Sequence, residues 1–265
     1  MTPAKFRALV WKHYREHGRH TLPWRKAKNV YRILVSEVML QQTQVERVIP
    51  FYKKFIQKFP TAKKLATAPL ADVLKAWQGL GYNRRAKMLR SASGELAAKK
   101  VKTIAELEAL PGVGPYTARA VAAFAWNRDV IFIETNIRTA VIHYFFSKKK
   151  IVSEKEIEDI LIEVFPKGKS REWYSALMDY GAALKRSGIS HNARSKTYTK
   201  QSKFAGSLRE VRGAILRALL EKPARLAALH RPFPDRITQV DTALAALVKE
   251  NLIKKQKEKY ALAEG

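Results

Sequence analysis

From Pro3 to Arg186 the apolar residues recur every three or four positions, and few segments alternate with a period of two. A chain patterned in this way buries one stripe per helix and lacks the alternating strands of a sandwich or barrel. Phe6, Leu9, Val10 and Tyr14 set the spacing in a first helix over 3–18. Residues 30–45 form an apolar run long enough for a buried helix, and helical patterns follow near 46–58, 70–77, 83–98 and 103–109. Leu110-Pro111-Gly112-Val113-Gly114 breaks the pattern sharply, and 115–126, 135–146, 153–164 and 171–186 resume it. The expected class for residues 1–200 is therefore all-α.

After residue 207 the pattern restarts. Leu208–Leu220 and Ile237–Glu250 read as helices, and Leu252–Lys255 and Tyr260–Leu262 flank a charged turn as a hairpin would. Helices followed by a basic hairpin predict a small α+β winged-helix-like domain over 207–265. Residues 185–206 read as a basic linker or loop, since 185–203 hold six Lys or Arg and no acid. Two readings of it stand open, a solvated tether and a strap along a phosphate backbone. The first domain is then 1–184, two-lobed, with the N-terminal segment packing with residues after about 130.

The chain carries 51 Lys plus Arg against 23 Asp plus Glu, a formal charge of +28. An excess of that size is most simply explained by a polyanionic partner, because each cation facing a phosphate releases condensed counterions. There is no cysteine, which excludes disulfides, zinc thiolate sites and iron–sulfur clusters. The N-terminus is charged from Lys5 onward, unlike a secretory signal, and no apolar stretch is long enough to span a membrane. His13, His17 and His20 cluster near the N-terminus, but without acidic or thiol partners they read as an exposed helix face rather than a metal site.

Leu110-Pro111-Gly112-Val113-Gly114-Pro115-Tyr116-Thr117 joins two predicted helices. Its two glycines permit a tight turn and close approach of the backbone to a ligand. The following helix starts with free N–H groups at its positive dipole end, which suits a phosphate. Such a join could be a plain helix–helix turn or a hairpin that grips a nucleic-acid backbone without reading sequence.

Two acids stand in apolar surroundings. Glu37 lies within Ile33-Leu34-Val35-Ser36-Glu37-Val38-Met39-Leu40. Desolvation raises the pKa of such a group and suits it to general acid work near neutral pH. It could equally sit on a narrow polar stripe with Gln41 and Gln44. Glu134 follows Ile131-Phe132-Ile133 and precedes Thr135-Asn136-Ile137-Arg138. It could be a helix N-cap acid or the second of two carboxylates dividing the work at a glycosidic bond.

Read in order, the motifs are Leu22-Pro23-Trp24-Arg25, then Ser36-Glu37-Val38-Met39-Leu40-Gln41-Gln42-Thr43-Gln44-Val45, Trp77-Gln78-Gly79-Leu80-Gly81-Tyr82, the hairpin, and Glu134-Thr135-Asn136-Ile137-Arg138. Over residues 5–185 this resembles the MutY-type adenine DNA glycosylases of the helix-hairpin-helix class. The resemblance implies an enzyme that flips adenine out of a duplex. Glu37 would protonate adenine N7, and Glu134 would stabilise the cationic sugar, with Asn136 and Tyr116 supporting the two acids. Trp24, Arg25, Leu40 and Val45 would line the base pocket. Gln41, Gln42 and Tyr82 would fill or wedge the stack around the mismatch. Gly112, Val113, Gly114, Tyr116, Thr117 and Arg138 would contact DNA, and the carbonyls of Glu108, Leu110 and Val113 would hold a monovalent sodium or potassium ion. Bifunctional relatives place a catalytic lysine where Tyr116 stands, so a monofunctional enzyme without lyase activity is expected.

The chain departs from that family at three points. Glu134 replaces the usual Asp and is one methylene longer. The family's iron–sulfur cysteines would follow Asp179-Tyr180-Gly181-Ala182-Ala183, where this chain has Leu184-Lys185-Arg186-Ser187-Gly188, so the basic segment 185–203 is expected to replace the cluster loop's electrostatic role. Residues 207–265 are too short for the domain that reads 8-oxoguanine in many relatives. The expectation is a monomeric, cytoplasmic, nucleoid-associated glycosylase acting on adenine opposite 8-oxoguanine or guanine in double-stranded DNA, with no other cofactor. The rivals are a mismatch thymine or uracil glycosylase of the same fold and a non-catalytic damage-binding protein.

Overall fold

A computed structural model of the chain describes residues 1–195, 201 and 203–264. In chain order the helices are α1 (Pro3–His17), α2 (Val30–Leu40), α3 (Val45–Lys58), α4 (Ala62–Ala66), α5 (Leu70–Trp77), α6 (Arg84–Ala98) and α7 (Ile104–Glu108). There follow α8 (Pro115–Trp126), α9 (Thr135–Phe145), α10 (Glu154–Val164), α11 (Ser170–Arg186), α12 (Leu208–Glu221), α13 (Leu226–His230) and α14 (Ile237–Lys249). The strands are β1 (Ala224–Arg225), β2 (Ile253–Gln256) and β3 (Lys259–Leu262). The chain forms two compact units, one of residues 1–37, 102–109 and 113–200, the other of 38–101, 110–112 and 201–265.

In the first unit, local signals start the helices. Thr2 caps α1 by accepting from the Lys5 N–H, with proline in the first turn. Thr103–Glu106 and Ser153–Glu156 form reciprocal capping boxes on α7 and α10. The helix α1 buries Phe6 and Val10 against α10 and α11, and α9 packs along α11. Trp173, Tyr174, Leu177, Ile137 and Val141 are fully buried in the same core. One approach is very close: a Cβ built on Gly181 of α11 would lie 2.0 Å from the carbonyl oxygen of Asn136. Only the absence of a side chain there lets α11 cross the start of α9.

In the second unit α3, α5 and α6 bury Val48, Phe55, Val73, Trp77 and Leu89. The C-terminal elements pack α12 on α14 beside an antiparallel sheet of order β1-β3-β2, with Ala224 opposite Tyr260 and Lys255 also opposite Tyr260 on the other edge. Lys87 of α6 donates to the carbonyls of Glu250 and Asn251 at 2.8 and 3.1 Å, tying these elements to the preceding helices.

The class is as expected, helical with a small C-terminal sheet, but several elements differ. The run 30–45 is not one helix. It stops at Leu40, passes through Gln42 at φ 55°, and restarts at Val45. No glycine or proline marks the break, only the four polar residues Gln41 to Gln44 between Leu40 and Val45. The elements α4, α13 and β1 are too short to display a period. The segment 185–203 is not a free tether where it is described. Lys185 and Arg186 end α11, Asn192–Arg194 forms a 3-10 turn, and Arg194 donates to the carbonyls of Phe146 and Lys149. The rest of that segment, 196–200 and 202, lies outside the described residues. His17 is exposed as expected, whereas the Nε2 of His13 is buried against Tyr180 and burial lowers its pKa. Among the described residues no helix is long and apolar enough to cross a membrane.

Candidate active site

Glu37 sits in the middle of α2 and is only 6% exposed. Ile33, Leu34, Val35, Val38 and Met39 around it are buried as well. Gln41 and Gln44 fall beyond the helix end, so no exposed polar stripe runs through Glu37. Burial, and then the negative charge of Glu134, push its pKa up to about 7, while the Tyr116 hydroxyl, donating at 3.4 Å, works in the opposite direction. The phenol itself is driven upward by burial and by both carboxylates, so it stays protonated. A carboxyl in this setting still carries its proton near neutrality, as a general acid requires.

The strand-like segment before Glu134 is fixed by Tyr174, whose hydroxyl donates to the carbonyl of Val130 at 2.7 Å and accepts from the N–H of Phe132 at 3.2 Å. Glu134 is then the N-cap of α9. Its carboxylate accepts from the backbone N–H of Asn136 (2.8 Å) and of Ile137 (3.3 Å), from Asn136 Nδ2 (2.7 Å) and from Thr135 Oγ1 (2.9 Å). Its oxygens are therefore aimed by four donors at the positive end of a helix. The capping group is also the negative charge felt by Glu37. Lys185 adds a nearby cation. Its Nζ donates to Thr135 Oγ1 at 3.0 Å, and burial lowers its pKa against the pull of Glu134.

Trp24 and Arg25 stand in a short 3-10 turn, Pro23–Lys26, both partly exposed. Arg25 makes a fork to Asp179, with nitrogen–oxygen distances of 2.6 and 2.7 Å, and Arg19 donates to the same carboxylate. Burial would raise the Asp179 pKa, but the two guanidiniums hold it below the ordinary value. Asp179 and Lys185 are the groups that sequence reasoning passed over. The available signal was an acid on the apolar face of α11.

In the second unit Leu40, Gln41 and Val45 are partly exposed, and Gln42 is exposed. One half-buried cation organises their loop. Arg85 donates to the carbonyls of Val38 (2.7 Å), Gln41 (2.6 Å), Leu80 (3.2 Å) and Gly81 (3.2 Å), and lies over the rings of Trp77 and Tyr82. Gln42 and Tyr82, each at positive φ (55° and 48°), are thus presented by two loops that share one guanidinium. Nothing in the basic run around Arg85 distinguished it in the sequence.

The hairpin has the turn its glycines implied. Gly112 lies at φ +76°, and a Cβ there would come within 2.6 Å of Met88 Cβ. Gly114 caps α8 without a side-chain bond, followed by Pro115 in the first turn. Gly112 and Gly114 are exposed, Val113 and Leu110 are buried, and Glu108 is exposed. Thr117 is buried as a whole residue. Arg138 is turned to Glu154 at 2.9 Å. Glu37, Tyr116, Glu134 and Asn136 are therefore brought together, as are Gln41, Gln42 and Tyr82, whereas Arg25 and Arg138 face acids. Among the described residues no group of three or more His, Cys, Asp or Glu could hold a metal ion.

Comparisons with known proteins identify the family. Residues 35–167 match the family model of the HhH-GPD superfamily base excision DNA repair proteins. The chain is 35% identical to an adenine DNA glycosylase of Mycolicibacterium smegmatis over 94% of its own length and 93% of that relative. It is 37% identical to an adenine DNA glycosylase of Buchnera aphidicola over 69% of its length, spanning 54% of that protein. A thermostable thymine-DNA glycosylase shares the fold, with a TM-score of 0.59 at 23% identity over 68% of this chain and 86% of that one. Endonuclease III trapped on DNA does so at a TM-score of 0.55 and 20% identity, over 69% and 87%. The chain belongs to the adenine DNA glycosylases of the helix-hairpin-helix base excision repair superfamily.

Proposed function

We propose that this protein releases mispaired adenine from duplex DNA by hydrolysing its N-glycosidic bond, acting as a monofunctional glycosylase on adenine opposite 8-oxoguanine or guanine. The observation that carries this reading is the pairing of a buried acid, Glu37, raised to about 7, with a carboxylate held by four donors, Glu134. With the adenine extruded from the stack, protonated Glu37 gives its proton to N7 of the base. The bond to C1′ breaks with its electron pair leaving on the base. Glu134 stabilises the cationic sugar, and water adds to C1′ while its proton passes to a carboxylate. Asn136 holds Glu134 through both its nitrogens, and Tyr116 donates to Glu37. The extra methylene of Glu134 is accommodated by folding the carboxylate back onto its own helix. We assign Trp24, Leu40 and Val45 to contacts with the extruded base, and Arg25, already forked to Asp179, to positioning.

Gly112, Val113, Gly114, Tyr116 and Thr117 receive backbone phosphate through the uncapped start of α8. Arg138, its fork taken by Glu154, is assigned to positioning α9 rather than to a direct DNA contact. The carbonyls of Leu110 and Val113 accept no turn or cap hydrogen bond among the described residues, which fits a sodium or potassium ion held by them and by the Glu108 carbonyl. The 51 basic against 23 acidic residues support duplex DNA as the partner; a monomer acting at the nucleoid in the cytoplasm is part of the same proposal.

The test is single-turnover base release from duplexes with A:8-oxoguanine, A:guanine, A:cytosine, T:guanine and U:guanine pairs. The expected result is adenine release that falls by about 10²–10⁴-fold in Glu37→Gln, the range for loss of a general acid. Release of thymine or uracil alone, or of no base, overturns the proposal.

A further inference from the structure

Within the second unit, residues just before α12 return onto the two loops that Arg85 organises. Gln201 Nε2 donates to Gln42 Oε1 at 3.0 Å and also to the Tyr82 hydroxyl. Arg209 lies 5.6 Å from the centre of the Tyr82 ring and 6.0 Å from that of Phe204. Phe204 is nevertheless 59% exposed, and Tyr82 is 36% exposed. No acid occurs from 201 to 209, and Lys203 adds a further cation. Side by side, this gives two exposed aromatic rings bridged by a guanidinium, with a pair of amides at their edge.

Aromatic rings that keep their faces in water next to arginine serve as stacking platforms for bases, and amides pair with base edges. A ring kept only for packing would bury its face, as Phe55 does at 0% exposure. We propose that Gln201 and Phe204 belong to the surface that reads the DNA strand opposite the target adenine, Phe204 stacking on a base and Gln201 testing the edge of the opposite base together with Gln42. This rests on the reading of the protein as a mismatch adenine glycosylase. It assigns opposite-base discrimination in part to the segment leading into α12.

The test uses the full chain with Gln201→Ala, Phe204→Ala and Phe204→Leu. Adenine release is measured from A:8-oxoguanine and A:cytosine duplexes. In a Glu37→Gln background, fluorescence is read from 2-aminopurine placed beside the opposite base. For Gln201→Ala the preference for 8-oxoguanine over cytosine should contract by about tenfold, the scale of one lost polar base contact. Both Phe204 variants should lose the 2-aminopurine response while melting at the wild-type temperature, since the ring is exposed. Equal rate changes on both duplexes with an unchanged fluorescence response overturn the proposal. So does faster release from every duplex, which would make the segment a cap that DNA must displace. Should the unaltered protein release no adenine, the fluorescence arm still decides the role of the segment.

Discussion

At the scale of single residues, the chemistry turns on one proton. Glu37 was legible because an acid in the centre of an apolar run has few ways to avoid burial. Ionising it in the folded chain requires a pH of about 7, against 4.5 for the free group, because burial and Glu134 both oppose the charge. Below pH 4.5 the carboxyl is neutral folded and unfolded and costs nothing. Between 4.5 and 7 only the unfolded chain gains by releasing the proton, so stability is lost as pH rises, and the loss is complete above the folded pKa. At 1.36 kcal/mol per unit the gap corresponds to roughly 3 kcal/mol. Glu37→Gln is isosteric and cannot ionise. It should therefore melt higher than the unaltered protein at pH 8, by a few degrees per kcal/mol regained, and at nearly the same temperature at pH 4. Equal differences at the two pH values would show that Glu37 is not held protonated. What the sequence hid were the partners of its other charges. Arg25 and Arg138 had been assigned to the base pocket and to DNA, yet each spends its fork on an acid, Asp179 at a separation of 154 residues and Glu154 at 16. Such pairings leave no local trace, and neither does the placing of Arg85 among five carbonyls.

At the scale of elements, helices read well where a cap and a long apolar stripe coincided, as in α1 and α10, and badly where a loop interrupted a stripe. The break at 41–44 is marked in the sequence only by four successive polar residues, and much of what holds it, Arg85 on α6, lies outside the segment. The crossing of α11 over the start of α9 is similar, because it depends on a missing side chain. Gly181→Ala would place a methyl 2.0 Å from the Asn136 carbonyl oxygen, and one helix must shift. The residue displaced is the one that aims Glu134, so the carboxylate moves with it. The expected result is a stability loss of about 1–3 kcal/mol. Single-turnover adenine release should fall on the order of 10²-fold, since an ångström at a reacting group costs about that much. Affinity for an uncleaved duplex should change far less. Gly94→Ala in α6, where the new methyl meets nothing within 4 Å, is the control and should be neutral or stabilising by up to about 1 kcal/mol. If Gly181→Ala released adenine as fast as Gly94→Ala, the crossing would not be what sets the carboxylate.

At the scale of the whole molecule, period and charge spoke clearly while topology did not. The helical class follows from spacing alone, but the two compact units are each assembled from three separated stretches of chain, with the C-terminal elements counted among residues 38–101 and 110–112. A discontinuous unit has no boundary that composition could mark. Charge needs no topology. Even with every one of the 23 acids paired to a base, 28 cations remain. Phosphate contacts add a term to the affinity that depends on salt and not on sequence, whereas contacts to base edges release no counterions. Binding of Glu37→Gln to an A:8-oxoguanine duplex and to a fully matched duplex should therefore weaken in parallel as salt rises. With about six to ten phosphates neutralised, both affinities should fall by about 10³–10⁵-fold between 50 and 200 mM. The ratio of the two affinities should stay nearly constant, because it belongs to the base contacts. A slope near zero for both duplexes would leave the excess charge without a nucleic-acid role. A steep slope for the mismatched duplex alone would mean that cations are recruited only when the base is extruded, so that the charge belongs to the flipped complex and not to the search along matched DNA.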